Sequence, residues 1–168
     1  MQLLTLNDLF VEQLGDLYSA EKQLVQALPK LAAAASQDEL RQAFEQHLGE
    51  TRDHVRRLEE IFGQLGIATP THECEGMKGL IREGEEMITA QGDPVVRDAG
   101  LIAAAQRVEH YEIAAYGTAR TLADDLDLDA AKDLLDQTAD EEGNADKLLT
   151  KIATGGMFKA GINERARR

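Results

Sequence analysis

The chain has 168 residues, of which 43% are hydrophobic, and a formal net charge of −13. This length suits one domain with a substantial core, and the acidic balance disfavours nucleic acid as a partner of the body of the protein. No apolar run approaches the roughly 20 residues of a membrane span, and the first residues lack the basic start of a signal peptide. With a lone cysteine, Cys74, we expect a cytoplasmic protein with no membrane segment.

The first half of the chain predicts two long helices. Only 3 prolines occur, and residues that favour helices dominate, which indicates an all-α fold. The first predicted helix begins at a capping box on Thr5 and continues to about Ala35, with a kink expected at Pro29. The second begins at Ser36 and ends at Gly66, a residue typical of helix ends.

Two further long helices follow a connection of residues 67–92. The segment MKGLIREGEEMI within this connection predicts a shorter helix. The third long helix begins at Asp93, which caps it ahead of a proline, and reaches about Asp125. The fourth begins near Asp127 or Asp129 and ends before the Gly-Gly pair at 155–156.

The connections decide the predicted architecture. The first two helices, and the last two, are joined too closely for anything but antiparallel hairpins, whereas residues 67–92 can return the chain along the bundle. This order predicts an all-α, ferritin-like four-helix bundle of two antiparallel hairpins with a long crossover that carries an extra short helix. We assign the bundle domain to residues 1–155 and a basic C-terminal tail to 156–168. Such tails are usually solvated ends, and a binding role is the alternative.

Acidic residues interrupt the inward stripe of every predicted bundle helix. Each stripe has the three- and four-residue spacing of a core-facing helix surface, and each is broken near its middle. The acids lie at nearly equal separations in the two hairpins, which predicts that they meet at one level. The polar residues in question are Glu21 on the first helix; Glu50, with His47 and His54 nearby, on the second; Glu109 and Glu112 on the third; and Glu142 and Asp146 on the fourth.

The energetic cost of such a layer predicts a metal site. Two carboxylates about 4 Å apart repel by about 4 kcal/mol even at an effective dielectric constant of 20, and burial of each charge costs several kcal/mol more. Without metal the site must take up protons or admit water. Two divalent or trivalent cations would remove the conflict. Ligation by oxygen and imidazole suits iron or manganese, whereas zinc prefers thiolates and closed tetrahedra. We therefore expect two iron or manganese ions per subunit.

Other interpretations of the same residues stay open. The whole set can be solvated or a proton-sharing vestige, because 31 acids in the chain place some on any stripe. A rotation of the helices would move Glu50 or Asp146 outward. For His47 and His110, a helix cap or a hydrogen bond is the more common role than metal binding. For His54 the two roles are about equally common.

Several segments resemble the YciF/YciE family of bacterial ferritin-like stress proteins. They are YSAEKQLVQALPKLA, AFEQHLGETRDHVRRLE, RDAGLIAAAQRVEHYEIAAYGT and EEGNAD, and the similarity covers about residues 5–153. The resemblance implies a rubrerythrin-related four-helix fold, a homodimer, a cytoplasmic location and a link to stress responses. It implies no established reaction.

The di-iron pattern of rubrerythrins is similar in a further way. It has one Glu on the first helix, a Glu with a following His on the second, a Glu-x-x-Glu pair on the third and a Glu with a following His on the fourth. Carried over, the pattern selects Glu21, Glu50, Glu109, Glu112 and Glu142. The chain departs from it twice. His54 follows Glu50 by four residues, with Asp53 at the third position, and Asp146 takes the place of the second histidine.

Three functions fit this sequence. The first is a di-metal oxidoreductase that reduces peroxide or reacts with O₂. In that hypothesis the bridging ligands are Glu50 and Glu142, and the terminal ligands are Glu21, Glu112 and His54. Glu109, or a labile neighbour, opens a position for O₂ or peroxide. The second is iron handling by oxidation of Fe(II) or by buffering. The third is a non-enzymatic dimeric stress protein that binds another protein and keeps a vestigial site. No Cys-x-x-Cys pair occurs, so electrons would come from another molecule.

Overall fold

Helices dominate the computed structural model, which describes residues 3–156 and 159–167. The elements are α1 (Leu6–Ala34), α2 (Asp38–Leu65), α3 (Glu75–Thr89), α4 (Pro94–Asp125), α5 (Asp129–Thr154), β1 (Gly155–Gly156), β2 (Lys159–Ala160) and α6 (Ile162–Arg165). The two short strands pair antiparallel. Among the helices of the described residues, none is long and apolar enough to cross a membrane.

The four long helices form the ferritin-like bundle that the sequence predicted. α1 packs on α2 and α4 packs on α5, and these hairpins meet through α1 with α4 and α2 with α5. α3 lies in the crossover between the hairpins and packs against α1 and α4. The predicted all-α architecture, including the extra helix of the crossover, is confirmed.

The ends of the first hairpin show one predicted cap and one difference. Thr5 accepts a hydrogen bond from the backbone N–H of Asp8, and the Asp8 side chain accepts one from the backbone of Thr5, as expected. The second helix begins at Asp38 rather than at Ser36. The reason is Asp98 of α4, a fully buried carboxylate that accepts hydrogen bonds from the backbone N–H groups of Ser36 and Gln37 and from the Ser36 hydroxyl. Ser36 is therefore held outside the helix.

Cys74 fixes the start of α3. Its sulfur accepts the backbone N–H of Met77 at 3.3 Å, as an N-cap does, and its own N–H donates to the hydroxyl of Ser19 at 2.8 Å. The Tyr111 hydroxyl lies 3.0 Å from the sulfur and donates to Asp16 at 2.7 Å. The thiol is fully buried, so these contacts attach the crossover to α1 and α4.

The end of the chain packs on the bundle. Ile162 is fully buried in the same apolar cluster as the ends of α1 and α5, and Arg165 donates to the Gln37 side chain at 2.6 Å. Gly161 approaches the backbone so closely that a Cβ there would lie 2.3 Å from the carbonyl oxygen of Ala153. The segment thus contacts the bundle through Gly161, Ile162 and Arg165, whereas Lys159, Ala160 and Arg167 are exposed. The division into a bundle domain and a tail at residue 155 stays a prediction. Met157, Phe158 and Arg168 of the predicted tail lie outside the described residues.

The core consists of two apolar clusters with a polar layer between them. One cluster contains Leu24 and Leu28 of α1, and the other contains Phe10, Leu14 and Leu17 of the same helix. The other three bundle helices also contribute to both clusters. On each helix the buried glutamates and histidines lie in the sequence between the two apolar sets, so the fold brings them to mid-height.

Candidate metal centre

Eight polar side chains are buried in the middle of the bundle. They are Glu21 of α1; His47, Thr51 and His54 of α2; Glu109 and Glu112 of α4; and Thr138 and Glu142 of α5. Each belongs to the inward stripe of its helix. Their ligating atoms fall into two groups that share one residue.

The first group is Glu21, His54 and Glu142, whose ligand atoms lie within 4.8 Å of one another. His54 Nδ1 is 3.3 Å from Glu21 Oε1 and 2.9 Å from Glu142 Oε1. Tyr116 donates its hydroxyl hydrogen to Glu21 Oε1 at 2.5 Å. Tyr116 is also fully buried, so this hydrogen bond fixes one Glu21 oxygen and leaves the other free.

The second group is His47, Glu109, Glu112 and Glu142, again within 4.8 Å. His47 Nε2 is 3.4 Å from Glu109 Oε1 and 3.5 Å from Glu142 Oε2. The two oxygens of Glu142 therefore face different groups, Oε1 towards His54 and Oε2 towards His47. A carboxylate in this position can offer one oxygen to each group at the same time.

The donor atoms of the layer are short of partners, which is the property that a metal site requires. The buried atoms without a hydrogen-bond partner among the described residues include Glu21 Oε2, His47 Nε2, His54 Nδ1, Glu109 Oε2 and both oxygens of Glu112 and of Glu142. Buried polar atoms are otherwise nearly always satisfied. Hard oxygen donors with two imidazoles fit iron or manganese, so the residues present fit the metal ions that the sequence predicted.

Burial and mutual repulsion change the acidity of the carboxyl groups. Burial raises the pKa of Glu112 well above its ordinary value, and the neighbouring Glu21 and Glu142 raise it further. The pKa of Glu109 is also raised well above its ordinary value, mainly by burial and against the effect of His47. Burial would raise the pKa of Glu142 as well, but contact with His54 and His47 lowers it. Without metal, the layer therefore holds both protons and charges.

The two histidines favour the charged form when no metal is bound. Burial alone would lower the pKa of His47, yet Glu109 and Glu50 outweigh it and raise the value to about 9. In the same way, Glu142 and Glu21 outweigh the effect of burial and raise the pKa of His54 to about 11. A metal ion would have to displace these protons, so any affinity of the site for metal would rise with pH.

Two carboxylates outside the layer contact the histidines from the other side. Glu141 Oε2 lies 2.9 Å from His54 Nε2, and Arg57 donates to both Glu141 oxygens at 2.7 and 2.9 Å. Although burial alone would raise the pKa of Glu141, the hydrogen bonds from Arg57 and His54 lower it to about 2. Glu50 Oε2 lies 3.4 Å from His47 Nδ1 and accepts a hydrogen bond from Gln46 through its other oxygen.

The structure brings five of the seven predicted ligands into the two groups. Glu21, His54, Glu109, Glu112 and Glu142 belong to them. The side chain of Glu50 is 31% exposed and points to the outer edge of His47. Asp146 is 21% exposed, accepts a hydrogen bond from Gln106 and lies 3.5 Å from the exposed ring of His110. The assignment of all seven as ligands stays a prediction.

His47 is the member of the layer that the sequence-based ligand set left out. The signal was its position, since His47, Thr51 and His54 follow one another at four and three residues on the inward stripe of α2. At 3.6 residues per turn, Glu50 lies about 60° around the helix from His47 and about 100° from Thr51, so its side chain reaches only the edge of that stripe. Glu141 and Arg57 carried no such signal, because both lie on partly exposed faces.

A cavity of ≈ 180 Å³ adjoins the second group. It lies between α2 and α5, and its walls include the polar side chains of His47, Glu50 and Glu109 and the apolar side chains of Phe44 and Ala145. Glu109 and His47 are thus accessible from this cavity although they are buried. A molecule of the size of a few waters can reach the carboxylate layer by this route.

Comparison with known proteins identifies the family. Residues 5–166 match the family described as a domain of unknown function, DUF892. Over 165 residues the chain is 44% identical to protein YciF of Escherichia coli (strain K12), which covers 98% of this chain and 99% of that protein. The chain belongs to the YciF family. The resemblance seen in the sequence is therefore confirmed.

Solved structures of this family and beyond share the fold. The crystal structure of the E. coli stress protein YciF matches with a TM-score of 0.89 and 43% identity over 99% of this chain and 100% of that chain. YcfI from Rhodopseudomonas palustris matches with a TM-score of 0.87 and 38% identity over 90% and 97%. A protein from Xanthomonas campestris pv. campestris has a TM-score of 0.68 at 20% identity over 88% and 89%, which shows the fold alone.

Proposed function

We propose that this YciF-family protein binds two iron or manganese ions in the buried layer and uses them against oxidants in the stress response. The observation that carries the proposal is the set of buried glutamate and histidine atoms that have no hydrogen-bond partner among the described residues. Such atoms cost free energy unless a proton or a cation satisfies them. Six residues from four helices supply them at one level: Glu21, His47, His54, Glu109, Glu112 and Glu142.

The ligands would fall into two sets around Glu142. Glu21 and His54 would hold one ion, and His47, Glu109 and Glu112 would hold the other, while Glu142 would contact both. When bound, an iron or manganese pair supplies two electrons to a small oxidant or takes electrons from Fe(II) as substrate.

The chain itself would supply protons and exclude bulk water. Reduction of hydrogen peroxide to two molecules of water consumes two electrons and two protons. Glu109 and His47 border the cavity, and the pKa of each is raised, in Glu109 mainly by burial and in His47 by Glu109 and Glu50 against burial. Glu109, when it is not bound to metal, can therefore hold a proton near neutral pH where a small oxidant would arrive, whereas His47 as a ligand would have given up the proton on Nε2. The electron donor would be another molecule.

The likeness to a relative described as a stress protein supports the biological part of the proposal. We extend that role to this chain together with a cytoplasmic location and a homodimeric state. Sedimentation would distinguish a homodimer from an iron-storage cage. A dimer is the expected result, and a cage of 12 or 24 subunits would indicate mineral storage instead.

Metal analysis tests the proposed function most directly. Protein produced in medium supplemented with iron and manganese should contain about two ions per chain, and anomalous scattering at the iron edge should place them between Glu21 and Glu112. Glu21→Ala and Glu112→Ala should each lower the metal content. Absence of metal from the wild-type protein under these conditions would refute the proposal.

A second candidate function is a dimeric stress protein with a vestigial site that binds another protein. It is favoured by the pairing of His54 with Glu142, since protonated histidines neutralise part of the layer without metal. In that case Glu21→Ala and Glu112→Ala would leave both metal content and peroxide consumption unchanged. The two candidates therefore predict opposite results for the same variants.

A further inference from the structure

The two buried histidines of α2 face the carboxylate layer with different ring nitrogens. In His47 the nitrogen close to Glu109 and Glu142 is Nε2, at 3.4 and 3.5 Å. In His54 the nitrogen close to Glu142 is Nδ1, at 2.9 Å, and the same atom is 3.3 Å from Glu21. The opposite nitrogen of each ring points out of the layer. Whatever lies beside that outer nitrogen decides which one keeps a proton when metal binds.

A carboxylate stands beside each outer nitrogen. Glu50 Oε2 lies 3.4 Å from His47 Nδ1, and Glu141 Oε2 lies 2.9 Å from His54 Nε2. Both carboxylates are partly exposed, at 31% and 26% of the side chain. Neither belongs to the two groups of atoms that could hold an ion. Their arrangement matches that of acceptors for an imidazole N–H and not that of ligands in the layer.

Each outer carboxylate is itself held in place. Arg57 donates from Nη1 to Glu141 Oε2 and from Nη2 to Glu141 Oε1, a bidentate pair, and Nη1 also donates to Thr138 at 3.0 Å. Gln46 donates to Glu50 Oε1 at 2.9 Å, which leaves Oε2 turned to His47. Metal-binding histidines generally donate their second N–H to a carboxylate or carbonyl, which fixes the ring and its tautomer.

We propose that Glu50 and Glu141 are positioning residues that hold the two histidines so that His47 binds metal through Nε2 and His54 through Nδ1. The inference rests on the proposed function in that a metal ion must occupy the layer. It adds His47 to the ligands, and it moves Glu50 from the bridging role that the sequence suggested to a supporting one. Glu142 is then the carboxylate between the two histidines, with one oxygen towards each.

Nitrogen NMR of the full chain labelled with ¹⁵N-histidine tests the assignment of the ring atoms. Zn²⁺ is the probe, because it is diamagnetic and accepts the same donor atoms. In the zinc-loaded protein we expect the remaining ring proton on Nδ1 of His47 and on Nε2 of His54. The reverse pattern in either ring overturns the proposal for that histidine.

Substitution of the outer carboxylates separates positioning from ligation. Glu50→Ala and Glu141→Ala should each weaken zinc binding about 10- to 100-fold and still reach the wild-type number of ions at saturation. Glu141→Gln keeps an accepting oxygen and should retain the ring-proton pattern of His54. The controls are Glu45→Ala on α2 and Asp140→Ala on α5, both exposed acids, which should bind as the wild type does. Loss of an ion at saturation in Glu50→Ala would make Glu50 a ligand and overturn the proposal.

A measurement without metal keeps the inference separate from the proposed function. If wild-type protein binds no zinc, iron or manganese, the proposed function fails. The metal-free protein still reports the contacts, since the ring proton on Nε2 of His54 should exchange slowly with solvent and should exchange faster in Glu141→Ala. Equal exchange rates in the two proteins would show that Glu141 does not hold His54.

Discussion

The Nδ1 atom of His54 and the Oε1 atom of Glu142 lie 2.9 Å apart, and neither side chain has any exposed surface. Glu112 lies in the same layer, also fully buried, but among the described residues it forms no ion pair with a histidine, whereas Glu142 contacts both His47 and His54. One glutamate is thus paired with a cation when metal is absent, and the other is not. This difference predicts that replacement by leucine has opposite effects on the stability of the metal-free protein at the two positions.

Glu112→Leu should stabilise the metal-free protein. Replacement of a buried, unpartnered carboxyl group by an apolar side chain of similar volume removes desolvation and repulsion, and gains of about 1–4 kcal/mol are typical for buried ionic groups replaced in this way. Chemical unfolding in urea with chelator present would measure the change. A loss of stability would show that the Glu112 carboxyl group is well satisfied without metal.

Glu142→Leu should instead destabilise the metal-free protein. It leaves the His54 ring, whose pKa is raised to about 11 by Glu142 and Glu21 against the effect of burial, with one acidic neighbour fewer. Removal of one partner from a buried pair costs about 3–5 kcal/mol. The same urea titration applies, with Asp140→Leu at an exposed site of α5 as the control. Equal effects of Glu112→Leu and Glu142→Leu would contradict the pairing.

The metal-free protein should become less stable as pH rises from about 5 to 9. Burial raises the pKa of Glu112 well above its ordinary value of 4.5, and Glu109 and Glu50, against burial, raise that of His47 from 6.5 to about 9. A group with a raised folded pKa binds its proton more tightly in the folded state. Its stabilising effect is complete below the unfolded pKa and fades as pH rises through the folded value.

Urea unfolding at pH 5, 7 and 9, in the presence of chelator, checks this pH dependence. Glu112→Gln cannot ionise at position 112 and should show a shallower decline than the wild type. The metal-loaded protein should behave differently, because bound cations replace the protons. Stability that is constant or rises over this range in the metal-free wild type would disprove the stated directions.

The sequence was sufficient for the fold because the decisive signals are local. The capping box at Thr5, the Asp93–Pro94 start and the apolar stripes of the four helices each depend on neighbouring residues, and each predicts its element within a few positions. The same stripes predicted a polar layer at mid-height. What local patterns could not give is the contact of Asp98 with the start of α2, which joins residues far apart in the chain.

The ligand set was harder to predict than the layer. Residues 47, 51 and 54 share the inward face of α2, whereas Glu50 lies at the edge of that face, so a small rotation of the helix decides which side chain enters the core. Similarity to the di-iron pattern favoured Glu50, whereas the structure buries His47 and leaves Glu50 partly exposed beside it. The assignment of Glu50 as a ligand stays a prediction. The contacts of Glu141 with His54 and Arg57 could not be recognised, because they join residues more than 80 positions apart on different helices.

Ala145→Leu should slow the reaction of the metal-loaded protein with hydrogen peroxide while it leaves the metal content unchanged. Ala145 lines the cavity of ≈ 180 Å³ beside His47, Glu50 and Glu109, and a larger side chain would fill part of that space. Stopped-flow absorbance after addition of peroxide measures the rate, and a fall of at least about tenfold, or about 1.4 kcal/mol in the barrier, is expected.

Ala130→Leu is the matched control for the cavity, since Ala130 lies on the exposed surface of α5 and lines no described cavity near the layer. It should react at the wild-type rate. Only Ala145→Leu narrows the route between α2 and α5. If that variant also reacts at the wild-type rate with full metal content, peroxide reaches the layer by another path.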